Sequence, residues 1–350
     1  MTVGFAVTAG WDLPVENVSH VHAAVAMADA AVTHAGLAPA DRAAFALIAT
    51  ELATNLARHG RDGRLVATAT EPGPAAWVQL AVADRGPGIP DVATAMADDG
   101  YSTANSLGGG LGACRRAATV FDLYTAASGT VVIARLGPGA RSSPTGHVRV
   151  GGILAARPGE QESGDAWGVA WGPGALTVVI MDGLGHGPEA AEAAAAGMNV
   201  LAAQYGQPSA DDPVTLLGQL DRKLAGGRGA VAGVAQLSHG ELAFGGVGNI
   251  AARLGPAGSN HHAHGLVSSM GTLGLGQRLR PQATITRWYA TSLFTAHSDG
   301  IRPAWDLSRY PGAIRHDPAV MATLIWRDAA TRGDDAAVVV TAGAAGEGPS

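Results

Sequence analysis

The most reactive residue types in this chain are aspartates that stand beside glycines at the ends of apolar runs. Asp182 closes Leu176-Thr-Val-Val-Ile-Met181 and opens Gly183-Leu-Gly185-His-Gly187. Asp299, in Ser298-Asp299-Gly300, follows the run Ser292-Leu-Phe-Thr-Ala296. Asp334 follows Gly333 and precedes Ala336-Ala-Val-Val-Val340, with Asp335 as the alternative in the register. Asp165 follows Ser163-Gly164. Carboxylates at strand ends can converge on one rim. Oxygen ligands without clustered His or Cys select hard cations, Mg²⁺ or Mn²⁺. Two such ions about 4 Å apart can activate a bridging water and clamp a phosphate for in-line attack. The ions would also offset the repulsion among the packed carboxylates.

A second set of residues points to nucleotide chemistry. Glu51 and Asn55 lie four residues apart, one turn of helix, on one face. An Asn amide oxygen can complete the octahedral shell of Mg²⁺, and a carboxylate one turn away can take a proton from an attacking hydroxyl. Asp84 ends an apolar run and is followed by Gly86 and Gly88, so it can accept the exocyclic amine of adenine while the backbone passes close to the base. Gly108, Gly110 and Gly112 precede a helix, and their amides with the helix N-terminus form an anion cradle. Arg115 and Arg116 add charge nearby.

The elements that must hold these residues follow from periodicity. Residues 3–8 read as a strand, 15–35 as an Ala-rich helix, and 39–59 as a helix with Phe45, Ile48, Leu52 and Leu56 on its apolar stripe. Strands at 64–70 and 77–83, a long Gly-rich loop, a helix at 113–120 and strands at 122–127 and 130–136 complete an α/β sandwich with helices on one side of a mixed sheet. Gly137 to Gly146 reads as a linker. Strands then recur at 148–156, 166–171, 175–181, 230–237, 241–247, 249–254, 284–289, 292–297 and 336–341, with helices at 187–204, 213–225 and 317–331. That order predicts a β-sandwich flanked by helices, with Trp167 and Trp171 in its core.

Composition sets the outer limits. A chain of 350 residues predicts two domains, and 47% hydrophobic against 15% charged residues argues for a folded protein. The net charge of −6, with no dense Lys/Arg run, disfavours nucleic acid and anionic membranes as partners. Cys114 is the only cysteine, so no internal disulfide forms, in keeping with a cytoplasmic location. The run Ala190–Ala203 is a poor membrane span. His261-His262-Ala-His264 lies in a polar loop without a second ligand pair at zinc spacing and reads as solvated.

Taken in order, Glu51…Asn55, Asp84-Arg-Gly86-Pro-Gly88-Ile and Gly108-Gly-Gly110-Leu-Gly112 resemble the Bergerat-type (GHKL) ATPase superfamily of histidine kinases and anti-sigma factors. Residues 84–116 look most like the RsbT-type serine kinases of the bacterial stressosome. The resemblance implies a base at Glu51, Mg²⁺ on Asn55, adenine on Asp84, and phosphates on the second glycine box. Val179-Ile-Met-Asp-Gly-Leu-Gly-His-Gly187 with the later Asp-Gly pairs resembles the SpoIIE-like, RsbX-type branch of the PPM serine/threonine phosphatases. It implies an αββα sandwich with two ions held by Asp182, the Gly183 carbonyl, Asp299 and Asp334, and by Asp165 upstream. Arg149 and Arg157 are candidates for phosphate capture.

The resulting expectation is an ATP-binding domain at 1–136, a linker at 137–147, a phosphatase domain at 148–343 and a tail at 344–350. Such a chain would remove phosphate from Ser or Thr of a STAS-domain or related regulatory phosphoprotein in a stress or sigma-factor pathway, and its first domain would add it. The alternative makes the first domain a non-catalytic module that binds ATP and a partner.

Overall fold

The computed structural model describes residues 4–97, 109–140, 148–160, 162–172, 174–205, 212–256 and 263–343. Gly108, Ala104-Asn105-Ser106, most of the 137–147 segment, His261, His262 and the tail from 344 lie outside the described residues. The chain divides into two compact units, Trp11–Arg141 and Met1–Gly10 with Ser142–Ser350.

Strand β1 (Gly4–Pro14) contributes its last residues to the Trp11–Arg141 unit, where Asp12 is paired with Arg64. Two helices follow, α1 (Val21–Ala35) and α2 (Pro39–His59). Pro39 and Asp41 occupy the first turn of α2, and Arg58 and His59 its last. These are the residues a helix N-terminus and C-terminus favour on steric and dipolar grounds. The stripe Phe45, Ile48, Leu52 and Leu56 is buried as its spacing requires. β2 (Arg64–Thr70), β3 (Val78–Ala83), α3 (Val92–Met96), α4 (Gly109–Ala117), β4 (Val120–Ala126) and β5 (Gly129–Leu136) complete the unit. The helices pack against one another and against the sheet.

The expected mixed sheet is corrected: the β2–β3, β3–β5 and β4–β5 pairs are all antiparallel. The β2–β3 and β4–β5 turns are too short for the crossover that parallel neighbours need, and β5, which returns beside β3 after α3, α4 and β4, runs antiparallel to it as well. A second correction concerns the glycine box. The helix begins at Gly109 rather than at 113, so Gly110 and Gly112 lie in its first turns. Close packing on α2 accounts for the glycine at 110, because a Cβ there would overlap the Glu51 carboxylate and lie 3.6 Å from Asn55 Nδ2.

The second unit consists of β6 (Val148–Ala155), β7 (Asp165–Gly172), β8 (Ala175–Gly183), α5 (Pro188–Ala202), α6 (Pro213–Leu224), β9 (Ala230–Ser238), β10 (Glu241–Val247), β11 (Ala251–Pro256), β12 (His264–Leu266), β13 (Ala283–Arg287), β14 (Ser292–His297), α7 (Pro318–Ala329) and β15 (Ala336–Gly343). Residues Gly4–Val7 of β1 pair antiparallel with β7, at the end of a sheet ordered β13-β10-β9-β8-β7. The other sheet is ordered β12-β11-β14-β15-β6. Helices α5 and α6 pack on the first sheet and α7 on the second.

Period-two alternation explains this layering. Ala166, Ala170, Val179 and Met181 join the cluster under α5 and α6. Trp167, from the opposite face of β7, meets Phe5 edge-on at 5.6 Å and lies against Gly152 of β6. Phe244 and Phe294 approach to 6.2 Å between the sheets. The unit is an αββα sandwich, and among the described residues no helix is long and apolar enough to cross a membrane.

Candidate active sites

In the second unit, antiparallel pairing brings the first carboxylates together. Asp165, the first residue of β7, is the register partner of Asp182 near the end of β8. The Asp182 and Asp299 carboxyls lie close enough to perturb one another's protonation. Both line a cavity of about 590 Å³ with Asp334, Asn249, Arg157, His186 and Met270. Sequence order alone scatters these residues over half the chain; the strand ends of two facing sheets collect them.

The electrostatics match that crowding. Burial, then the charges of Asp299 and Asp334, push the Asp182 carboxyl up to about 7. Asp299 is raised by burial and by Asp334, with partial relief from the Asn249 amide, which donates to its Oδ2 at 2.7 Å. Asp165 is held well above the usual carboxylate range by burial and by Asp182. Hard oxygen donors crowded so that Asp165, Asp182 and Asp299 are all raised are what a divalent cation would stabilise, so the donor chemistry fits Mg²⁺ or Mn²⁺. Among the described residues, however, no group of three His, Cys, Asp or Glu side chains is gathered closely enough to hold an ion as it stands.

The structure separates residues that the motifs treat alike. Asp335 is buried, and its two oxygens accept the Arg157 amide at 2.7 Å and the Gly164 amide at 2.8 Å. Asp334 lines the cavity instead. Asp165 is buried behind Asp182, with Oδ2 accepting the Ser298 hydroxyl at 2.6 Å. That hydroxyl also accepts the Ala337 amide at 3.0 Å, tying β7 to the Ser298–Asp299 turn and to β15. Gly183 does not line the cavity; its amide donates to the Gly164 carbonyl at 2.9 Å. Arg149 donates to the carbonyls of His316 and Ile314, away from the cavity, whereas Arg157 lines it.

Asn249 was not foreseen. The signal lay in Val247-Gly-Asn249, a polar residue beside glycine at a strand end, the same pattern as the Asp-Gly pairs but with the glycine first.

In the Trp11–Arg141 unit a separate cavity of about 500 Å³ is lined by Asn55, Arg58 and His59 of α2, Asp84 and Gly88 beyond β3, Leu111 of α4 and Thr130 of β5. Asp84 Oδ1 accepts the Gly86 amide at 2.5 Å. Gly88 has φ of +79°, and a Cβ there would overlap the Ala126 carbonyl, so the turn requires glycine. Thr125 Oγ1 fixes the same turn by accepting the Ile89 amide at 2.8 Å. Thr130 and Arg61, which also line the cavity, are residues no motif announced.

Glu51 does not line this cavity. Its carboxylate lies against α4 at Gly110, and with burial it helps raise the Cys114 thiol to about 12, which leaves that cysteine inert. Gly112 sits within α4, beyond the residues that line the cavity.

The first unit thus holds a cavity between a helix face and a glycine turn, and the αββα sandwich of the second holds a cavity lined by carboxylates. Residues 15–136 match the family model described as the histidine kinase-like ATPase domain, as the resemblance carried by Asn55, Asp84 and the glycine boxes implies. No curated protein sequence matches the chain. Solved structures similar to it include one from a study of the bacterial stressosome as a modular system adapted to control secondary messenger signaling. It is 29% identical, with TM-score 0.49, over 55% of this chain and 98% of that one. RsbX in complex with magnesium is 18% identical, TM-score 0.49, over 57% of this chain and 98% of that one. The phosphatase domain and regulatory fragment of SpoIIE from Bacillus subtilis are 15% identical, TM-score 0.45, over 76% of this chain and 79% of that one.

Proposed function

We propose that the chain is a metal-dependent protein serine/threonine phosphatase with an attached ATP-binding unit. The observation that carries this reading is the cavity that Asp182, Asp299 and Asp334 line together, with the Asn249 amide donating to Asp299 Oδ2 at 2.7 Å. In this reading Asp182, Asp299 and Asp334 hold two Mn²⁺ or Mg²⁺ ions, Asn249 orients Asp299, and Asp165 with Ser298 supports Asp182 from behind. Bound ions would supply a water nucleophile at neutral pH and charge to balance the phosphoryl oxygens. Arg157, half-buried at the cavity, would hold a phosphate oxygen in this reading. Asp335 orders the backbone of Arg157 and Gly164 and is no ligand in this reading.

The first unit would bind Mg-ATP, with Asp84 reading adenine, Asn55 on the metal and Arg58 near the phosphates. Two readings of its activity remain. If Glu51 acts as base, the unit is a serine kinase opposing the phosphatase. Its position outside the cavity favours the second reading, a module that binds ATP and a partner without transfer.

By the stressosome and RsbX likenesses, the target would be a STAS-domain or related regulatory phosphoprotein in stress signalling, met in the cytoplasm. Tethering would hold both sites at high effective concentration on one bound target. The test uses purified Asp182→Asn protein with labelled ATP and a STAS-domain protein. Label on the partner that disappears in the Glu51→Gln variant supports the kinase; bound ATP without transfer supports the binding module.

A further inference from the structure

Seven large hydrophobic residues are exposed among the described residues, and three of them, Val267, Met270 and Leu275, fall in the single segment 267–275. Met270 is 96% exposed and nonetheless lines the carboxylate cavity with Leu184 and Val231.

Backbone bonds fix the segment on both sides of Met270. The Gly248 amide donates to the Ser269 carbonyl and the Ser269 amide to the Gly246 carbonyl, each at 2.8 Å. Leu273 and Ala230 exchange both of their backbone bonds, at 2.8 and 3.2 Å. The Thr272 amide is held by Gln277 Oε1 at 3.2 Å. Only three residues separate the two anchors, so the methionine is presented outward by a braced loop. Leu275 lies against Gly229, whose carbonyl accepts the Leu184 amide at 3.1 Å, which extends the apolar ledge along the same rim.

Resting on the phosphatase reading above, we propose that Met270 is a specificity-determining residue that receives an apolar side chain next to the phosphorylated residue of a protein substrate. Whatever enters the cavity lies against Met270, because the methionine forms part of its wall. A phosphoserine reaching Asp182, Asp299 and Asp334 leaves its chain neighbours at the rim, beside the apolar surface of Met270 and Leu184. A flexible thioether suits aliphatic side chains of differing shape. The occupant is therefore a phosphorylated segment with Leu, Ile, Val or Met beside the phosphoserine or phosphothreonine.

The experiment compares the full chain with its Met270→Gln and Met270→Leu variants, in Mn²⁺, on two phosphoserine peptides. One carries leucine beside the phosphoserine and the other glycine. The wild type should prefer the leucine peptide, with the preference expressed in KM, as expected for contact made equally before and during reaction. Met270→Gln should reduce the ratio of kcat/KM between the peptides by about tenfold, the scale of one lost apolar contact, and Met270→Leu should restore it. Absence of a leucine preference in the wild type, or a ratio unchanged in Met270→Gln, would overturn the proposal while leaving the phosphatase reading intact. Hydrolysis of neither peptide would overturn both.

Discussion

Replacing Asp182 by Asn should make the metal-free protein more stable while removing its hydrolytic activity. In the folded chain, burial, Asp299 and Asp334 raise Asp182 from 3.8 to about 7. A shift of that size corresponds to roughly 4 kcal/mol of preference for the protonated form. The sign follows from linkage. A carboxyl whose folded pKa lies above its unfolded value contributes stability below about pH 4, and that contribution is lost as pH rises to about 7. Asn stays neutral at every pH and keeps the size of the side chain. The variant and the wild type should therefore unfold alike near pH 4. At pH 8 in EDTA the variant should be more stable by an amount approaching roughly 4 kcal/mol. Urea titrations followed by tryptophan fluorescence measure this, since Trp167 and Trp171 are buried in the same unit. Saturating Mn²⁺ should reverse the order, because an ion bound only by the folded state adds to wild-type stability by mass action. A variant no more stable than wild type at pH 8 in EDTA, or a difference that does not change with pH, would refute the idea that these carboxylates are held together against their charge.

Three further outcomes follow from the same geometry. Asp335→Ala should destabilise the protein by about 2 kcal/mol or more, since it strips two buried amides of their acceptor, whereas Asp334→Ala should fold normally and bind Mn²⁺ poorly; thermal unfolding and calorimetric titration separate the two. Mn²⁺ affinity should rise with pH up to about 7 and level off above it, as ions displace the proton held on Asp182, which calorimetry in buffers of different ionisation enthalpy will detect as proton release. Gly110→Ala should leave stability within about 1 kcal/mol, because alanine favours the helix and the overlapped atoms are the mobile end of Glu51. It should nonetheless displace that carboxylate and abolish any Glu51-dependent phosphotransfer while ATP binding persists.

The strong periodic elements were legible from residue order. Strand β2 at 64–70 and helix α2 at 39–59 occur at the positions expected from alternation and from the i, i+3, i+4 stripe. Helix α3 and strand β12 were not read, because five and three residues carry too little pattern to stand out from loop. The pairing of β1 with β7 was likewise invisible: a six-residue apolar run shows that a strand exists but not which edge it joins. The candidate site was legible as a set of residue types and not as a division of labour. Asp334 and Asp335 are adjacent in sequence, and only the backbone amides of Arg157 and Gly164 decide which of them faces inward. The burial of Asp165 and the retreat of Glu51 to α4 are products of tertiary packing, to which spacing is blind.

The most direct test of the central claim is phosphate release from a phosphoserine protein, measured with and without Mn²⁺ for the wild type and for Asp182→Asn. The account predicts release by the wild type that requires the metal and is lost in the variant at full folding. Metal-independent release, or undiminished release by Asp182→Asn, would contradict it.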